Sequence, residues 1–145
     1  MIDSHPGLYS RFSQHSSLLE DIRKAVNGEY GAIVCYERIA GMAPDAETRN
    51  RILEIRNDEI RHFQRFSQLY YRLSGIHPKP VLSEPCPAEY RAALRFAFQD
   101  EQETVDFYHE IADRAGHTDI GHAFRRAAAD EQNHAVWFLS WLVSR

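Results

Sequence analysis

Asp58-Glu59-Ile60-Arg61-His62 returns 72 positions later as Asp130-Glu131-Gln132-Asn133-His134. Extended outward without a gap, the same offset lays Glu29 on Glu101, Tyr36 on Tyr108, Ile39-Ala40 on Ile111-Ala112 and Phe66 on Phe138. Elsewhere the two halves agree poorly. What they share is mostly glutamate, histidine, tyrosine and aspartate, whereas duplicates held together by packing alone would retain core aliphatics first. The repeat therefore asks for a chemical explanation.

The spacings inside it are helical. Glu59 and His62 are three apart, as are Glu131 and His134, which puts each pair on one helix face about a turn apart. Glu29 to Tyr36 and Glu101 to Tyr108 span seven residues, again one face. Around these positions the faces are apolar or small: Ala25, Ile33 and Ala40; Ile52, Ile55, Phe63 and Phe66; Leu94, Val105 and Ala112; Phe124, Ala127, Phe138 and Leu142.

The punctuation divides the 145 residues into four such segments in one domain spanning 1–145. The first is expected over about 17–43, opened by the capping-box pattern Ser17-Leu-Leu-Glu20 and stopped by Pro44. The second, over 45–74, has Asp45 as cap and Gly75 just past its end. The third, over 87–115, begins at Pro87, and the fourth, over 118–143, is capped by Thr118. Each is roughly 40 Å long at the usual rise per residue, so all four must lie side by side. The predicted fold is all-α, an antiparallel four-helix bundle of two hairpins. The linker 75–86 carries three prolines; extended, it reaches about 37 Å, enough to cross from one end of the bundle to the other.

Composition is that of a globular chain, with 43% hydrophobic and 26% charged residues. A net charge of −4 argues against a nucleic-acid surface. No signal-peptide pattern and no apolar run of membrane-spanning length is visible, so a cytoplasmic protein without membrane partners is expected. Cys35 and Cys86 are too few and too far apart for a disulfide framework, a zinc ribbon or a CxxC pair; Cys35 reads as a packing residue.

Glu29 and Glu59 sit 15 residues either side of Pro44, and Glu101 and Glu131 sit 15 either side of Gly116. All four carboxylates and both imidazoles can thus meet at one level of the core, with nothing basic on their faces. Buried unpaired carboxylates are very costly, and two divalent cations would neutralise four of them. One glutamate from each of two helices plus Glu-x-x-His from each of the other two is a dinuclear carboxylate arrangement, suited to iron or manganese.

These residues resemble the ferritin-like superfamily of di-iron proteins, in particular the six-ligand sites of bacterioferritins and rubrerythrins, over nearly all of 17–145. The resemblance implies a ferritin-like fold and metal ligands Glu29, Glu59, His62, Glu101, Glu131 and His134, with Glu59 and Glu131 bridging two iron ions (manganese being the other candidate). It implies an oxidoreductase of peroxidase or ferroxidase type acting on O2, peroxide or Fe(II), supplied by an external electron donor. Departures are informative: there is no four-cysteine rubredoxin-like site, Thr104 stands where rubrerythrins carry a further glutamate, and Ile60 replaces the haem-ligating methionine of bacterioferritins, so no haem is expected. A metal-binding structural or oligomerisation module without turnover is the alternative. Tyr36 and Tyr108 are candidates for hydrogen-bonding the carboxylates or donating an electron, or else are core aromatics. Asp58 and Asp130 are placed to accept ring N–H groups and fix the histidine tautomers. Trp137, Phe138, Trp141 and Leu142 exceed what one core stripe needs and suggest a homodimer interface.

Overall fold

The computed structural model describes residues 8–144, with side chains from Leu18 onward. Four helices follow one another: α1 (Leu8–Met42), α2 (Ala46–Ser74), α3 (Tyr90–Ala115) and α4 (Asp119–Val143). The Asp45 side chain accepts from the Thr48 amide at 2.7 Å, and Thr118 Oγ1 accepts from the Gly121 amide at 3.2 Å, so both hairpin turns feed a capped helix. Gly75 adopts φ 74°, the left-handed closure that glycine permits. Gly121 is required for another reason: a Cβ there would stand 2.0 Å from the Gly116 carbonyl oxygen.

Two expected starts are corrected. Helix α1 begins at Leu8, so position 17 lies inside the helix rather than at its cap; the Ser17 side chain itself falls outside the described residues, and Glu20 pairs with Arg23 instead. Helix α3 begins at Tyr90, not Pro87, because the Glu89 carboxylate accepts from the Arg91 and Ala92 amides and supplies the cap.

Helix α1 packs on α2 and α3 on α4 within the hairpins, and the hairpins meet through α1 against α3 and α2 against α4. The linker starts beside the Leu18 end of α1, donates from the Val81 amide to Asn27 Oδ1 at 3.0 Å, reaches Cys35 through Cys86, and delivers Tyr90 beside Met42 and Ala43. It therefore runs along α1 from the level of Leu18 to its C-terminal end as a crossover, which makes α2 and α3 parallel.

The core is divided. One apolar cluster gathers Ile22, Val26, Leu69, Ile111 and the stacked rings of Phe66 and Phe124, 4.1 Å apart. The other gathers Ile39, Ile52, Leu94 and Phe138, with Phe138 tilted on Tyr36 at 5.0 Å. Between these two layers lies the polar level. Trp137, Trp141 and Leu142 pack partly against the second cluster. The exposed apolar strip on α4 is instead Val136, Leu139 and Val143. No described helix is long and apolar enough to cross a membrane.

Candidate metal centre

Each helix contributes from its middle turns to the polar level: Glu29 from α1, Glu59 and His62 from α2, Glu101 from α3, Glu131 and His134 from α4. The four glutamates are 1–2% exposed and His134 is fully buried. Their donor atoms form two overlapping groups, Glu29, Glu59, His62, Glu131 and Glu59, Glu101, Glu131, His134, with all atoms of a group within 4.8 Å of one another. Glu59 and Glu131 belong to both. Exchanging each residue for its counterpart 72 positions away turns one group into the other, so the sequence repeat has become an approximate twofold axis through the site.

His62 Nδ1 lies 3.1 Å from Glu131 Oε1, 3.3 Å from Glu59 Oε1 and 3.4 Å from Glu29 Oε1. His134 Nδ1 lies 3.3 Å from Glu59 Oε1 and 3.5 Å from Glu101 Oε2. Close as they are, these atoms are not aligned for hydrogen bonds. Glu29 Oε2, Glu59 Oε1, His62 Nδ1, Glu101 Oε2, Glu131 Oε1 and His134 Nδ1 all lack a partner, and the remaining buried unpartnered side-chain atom among the described residues is Ser67 Oγ. Orphaned donors and acceptors are rare in folded interiors and need an explanation. Six converging on one point, all carboxylate oxygen or imidazole nitrogen, fit a pair of hard or borderline divalent cations.

The outward-facing atoms of Glu29, Glu101, His62 and His134 are satisfied, and by the opposite hairpin. Tyr36 donates its hydroxyl hydrogen to Glu101 across the bundle, and Tyr108 donates to Glu29. His62 Nε2 meets Asp130 at 2.8 Å, while His134 Nε2 meets Asp58 at 2.7 Å. The aspartates thus hold histidines on the facing helix, not those four residues away on their own. With Nε2–H committed to a carboxylate, Nδ1 is left free as the inward donor.

The electrostatics show what the cluster does when no cation is present. Burial, then the charges of neighbouring carboxylates, push Glu59 and Glu131 well above the usual glutamate range. Burial works against protonating His62 and His134, but the surrounding carboxylates outweigh it and raise both. Burial and Glu101 raise the Tyr36 phenol, as burial and Glu29 raise Tyr108, so both stay protonated donors. Burial opposes ionisation of Asp130 also, yet the hydrogen bond from His62 holds it below the ordinary aspartate value. The metal-free centre therefore retains protons that a cation would displace.

Two features escape the sequence reading. Cys35 is no simple packing residue: it forms a disulfide with Cys86, Cα to Cα 5.2 Å, tying the linker to α1. A separation of 51 residues carries no pairing signal; only the crossover path brings the two together. Asp100, beside Glu101, is the second. Burial, then the Glu101 and Glu29 charges, raise it to about 7.

The fold is thus an all-α crossover bundle, with a twofold Glu/Glu-x-x-His cluster at its centre that is a candidate metal site. Residues 92–145 match the profile of the rubrerythrin family. The chain is 48% identical to the uncharacterized protein YhjR of Bacillus subtilis (strain 168) over 128 residues, 88% of each chain. Its fold is similar to that of a ferritin-like diiron-carboxylate protein from Bacillus anthracis str. Ames, with a TM-score of 0.77 at 23% identity, covering 89% of this chain and 97% of that one. It is also similar to the bacterioferritin of Desulfovibrio desulfuricans, with a TM-score of 0.71 at 20% identity, covering 90% and 80%. The chain belongs to the family of YhjR, and its fold is the ferritin-like one of these two structures.

Proposed function

We propose that this protein binds two iron ions, manganese being the competitor, and works as an oxidoreductase on O2, peroxide or Fe(II). Six unpartnered buried donor atoms converging from four helices carry this reading. Glu29 and His62 would hold one ion, Glu101 and His134 the other, and Glu59 and Glu131 would serve both. Bound there, a pair of redox-active ions supplies two one-electron steps at adjacent positions.

The chain's own residues do the rest. Asp58 and Asp130 orient the imidazoles and keep Nδ1 unprotonated once metal enters. Tyr36 and Tyr108 fix the rotamers of Glu101 and Glu29 and present phenolic hydrogens at the rim of the site. The two apolar layers exclude water above and below, which strengthens every charge interaction between them. Stacked Phe66 and Phe124 close one side; Phe138 closes the other.

A recess of about 270 Å³ between α2 and α4 is lined by His62 and Asp130 and gives a small substrate a route towards that side of the centre. The outer strip of Val136, Leu139 and Val143 supports a homodimer, and the small negative net charge fits a protein with neither nucleic acid nor membrane as partner. We place it in the cytoplasm.

Anaerobic titration with Fe(II) tests the reading. Uptake should saturate at two ions per chain, and air or peroxide should then develop a ferric absorption band that a reductant bleaches and an oxidant restores. Tight binding with no oxidation would instead identify a metal-stabilised module; no binding would overturn the site.

A further inference from the structure

The redox chemistry proposed above needs electrons from outside, and beyond the ligand cluster itself the described residues contain one other two-electron group: the Cys35–Cys86 disulfide. Its two sulfurs are differently placed. Cys35 is 3% exposed on α1, while Cys86 in the linker is partly exposed. Cys35 also forms a wall common to two cavities. The outer one, about 380 Å³ and open to solvent, is lined by Cys86, Leu82 and Arg38 as well. The inner one, about 80 Å³, is lined by Tyr36, Ser83, Glu84 and Asp100. One residue along α1, Tyr36 carries its hydroxyl to Glu101, so covalent bonds and a single hydrogen bond connect the Cys35 sulfur to a candidate metal ligand. The repeat sharpens the contrast: the position matching Cys35 in the second half is Phe107, and the disulfide exists on one side of the site alone.

We infer that the Cys35–Cys86 disulfide is the port through which a dithiol reductant supplies the centre with electrons. A thiolate of the reductant attacks the accessible Cys86 sulfur; the Cys35–Cys86 bond breaks and Cys35 leaves as thiolate into the cavity that Arg38 lines, where a nearby cation favours it. The reductant's second thiol attacks its own sulfur in the mixed disulfide, releasing Cys86 and leaving the reductant as a disulfide. Two protons from the reductant end on Cys35 and Cys86. The thiol pair then returns two electrons to two ferric ions, re-forms the disulfide and releases two protons. Per cycle one dithiol is oxidised and two Fe(III) become two Fe(II), which matches the capacity of the disulfide to that of the centre. This inference rests on the di-iron reading, but its first test does not.

Metal-free native protein is treated with dithiothreitol without denaturant, quenched with iodoacetamide and weighed intact. Addition of two alkyl groups per chain, while the helical circular-dichroism signal is retained, is the expected result; a disulfide that opens only in denaturant is a structural brace and overturns the inference. In the second arm, iron-loaded oxidised wild type and the Cys35→Ser/Cys86→Ser double variant, matched for iron content, are mixed anaerobically with the dithiol. The ferric band of the wild type should bleach at least about tenfold faster, as expected when the productive exchange partner is removed. Equal rates overturn the inference while leaving the di-iron reading intact. Failure of the wild type to take up iron sinks the metal reading itself, and with it the relay; failure of the double variant alone marks the disulfide as a structural brace and overturns the relay only.

Discussion

His62 and His134 occupy equivalent places in the two halves, yet their surroundings differ. His134 is sealed, whereas His62 borders a cavity whose other walls include Arg61, Arg65 and Arg126. Seventy-two residues after Arg65 the chain has Trp137, a ring half-buried against the core and covered by Arg51 at 4.5 Å. Inside, the halves repeat every ligand and every outward hydrogen bond; outside, one flank is open and cationic and the other is closed and aromatic. The symmetry thus holds at the candidate ligands and is lost on the flanks that would control access to them.

The largest effect should come from breaking the shared positions. Glu59→Ala or Glu131→Ala removes a ligand from both groups, so metal analysis should find dinuclear loading abolished. Glu29→Ala or Glu101→Ala touches one group each and should leave about one ion per chain. If all four behave alike, the division into shared and single ligands is wrong.

Metal removal comes next. Glu59, Glu131, His62 and His134 all have raised folded-state values, so the metal-free fold binds more protons than the unfolded chain. Their stabilising contribution is complete below the unfolded values, 4.5 for glutamate and 6.5 for histidine, and is lost as pH rises through the folded ones. Asp130, lowered, works the opposite way and only at acid pH. The apo melting temperature should therefore fall from mildly acid to alkaline pH. Saturating Fe(II) or Mn(II) should raise it by about 6–12 °C, and by more at alkaline than at acid pH because ligands must be deprotonated to bind. A metal-induced shift independent of pH would contradict the proton-holding centre.

The crossed hydrogen bonds make a finer test. Asp130→Asn should weaken the ion held by His62 and Asp58→Asn the ion held by His134, each by about 10–100-fold, measured by competition with a chelator. Exchange of those assignments would mean that the aspartates serve the histidines of their own helices. Smallest is Arg65→Trp, which copies the closed flank onto the open one. It should leave iron content unchanged and slow oxidation by peroxide by about three- to tenfold, roughly 1 kcal/mol of barrier.

Much of this was legible beforehand, for definable reasons. Helical period, Asp45, Gly75 and Thr118 are local signals, and they mark their boundaries correctly. Ser17-x-x-Glu20 is just as local but misleads, because helix α1 already extends back to Leu8 and a capping pattern inside a helix has no free amide to bind. The cluster was visible because fixed spacings from two turns bring residues to one height. The partner of each tyrosine and aspartate was not, since it depends on how the hairpins dock, which no spacing records. The disulfide was hidden for the same reason: it follows from the linker's path along α1.

That docking has a consequence for assembly. Tyr36 reaches Glu101, Tyr108 reaches Glu29, Asp58 reaches His134 and Asp130 reaches His62. Every ligand so braced is braced by the other hairpin, so neither half can preorganise its own chemistry. Each hairpin on its own is a set of loose ligands; the centre comes into being in one cooperative event, when the second half of the chain closes on the first.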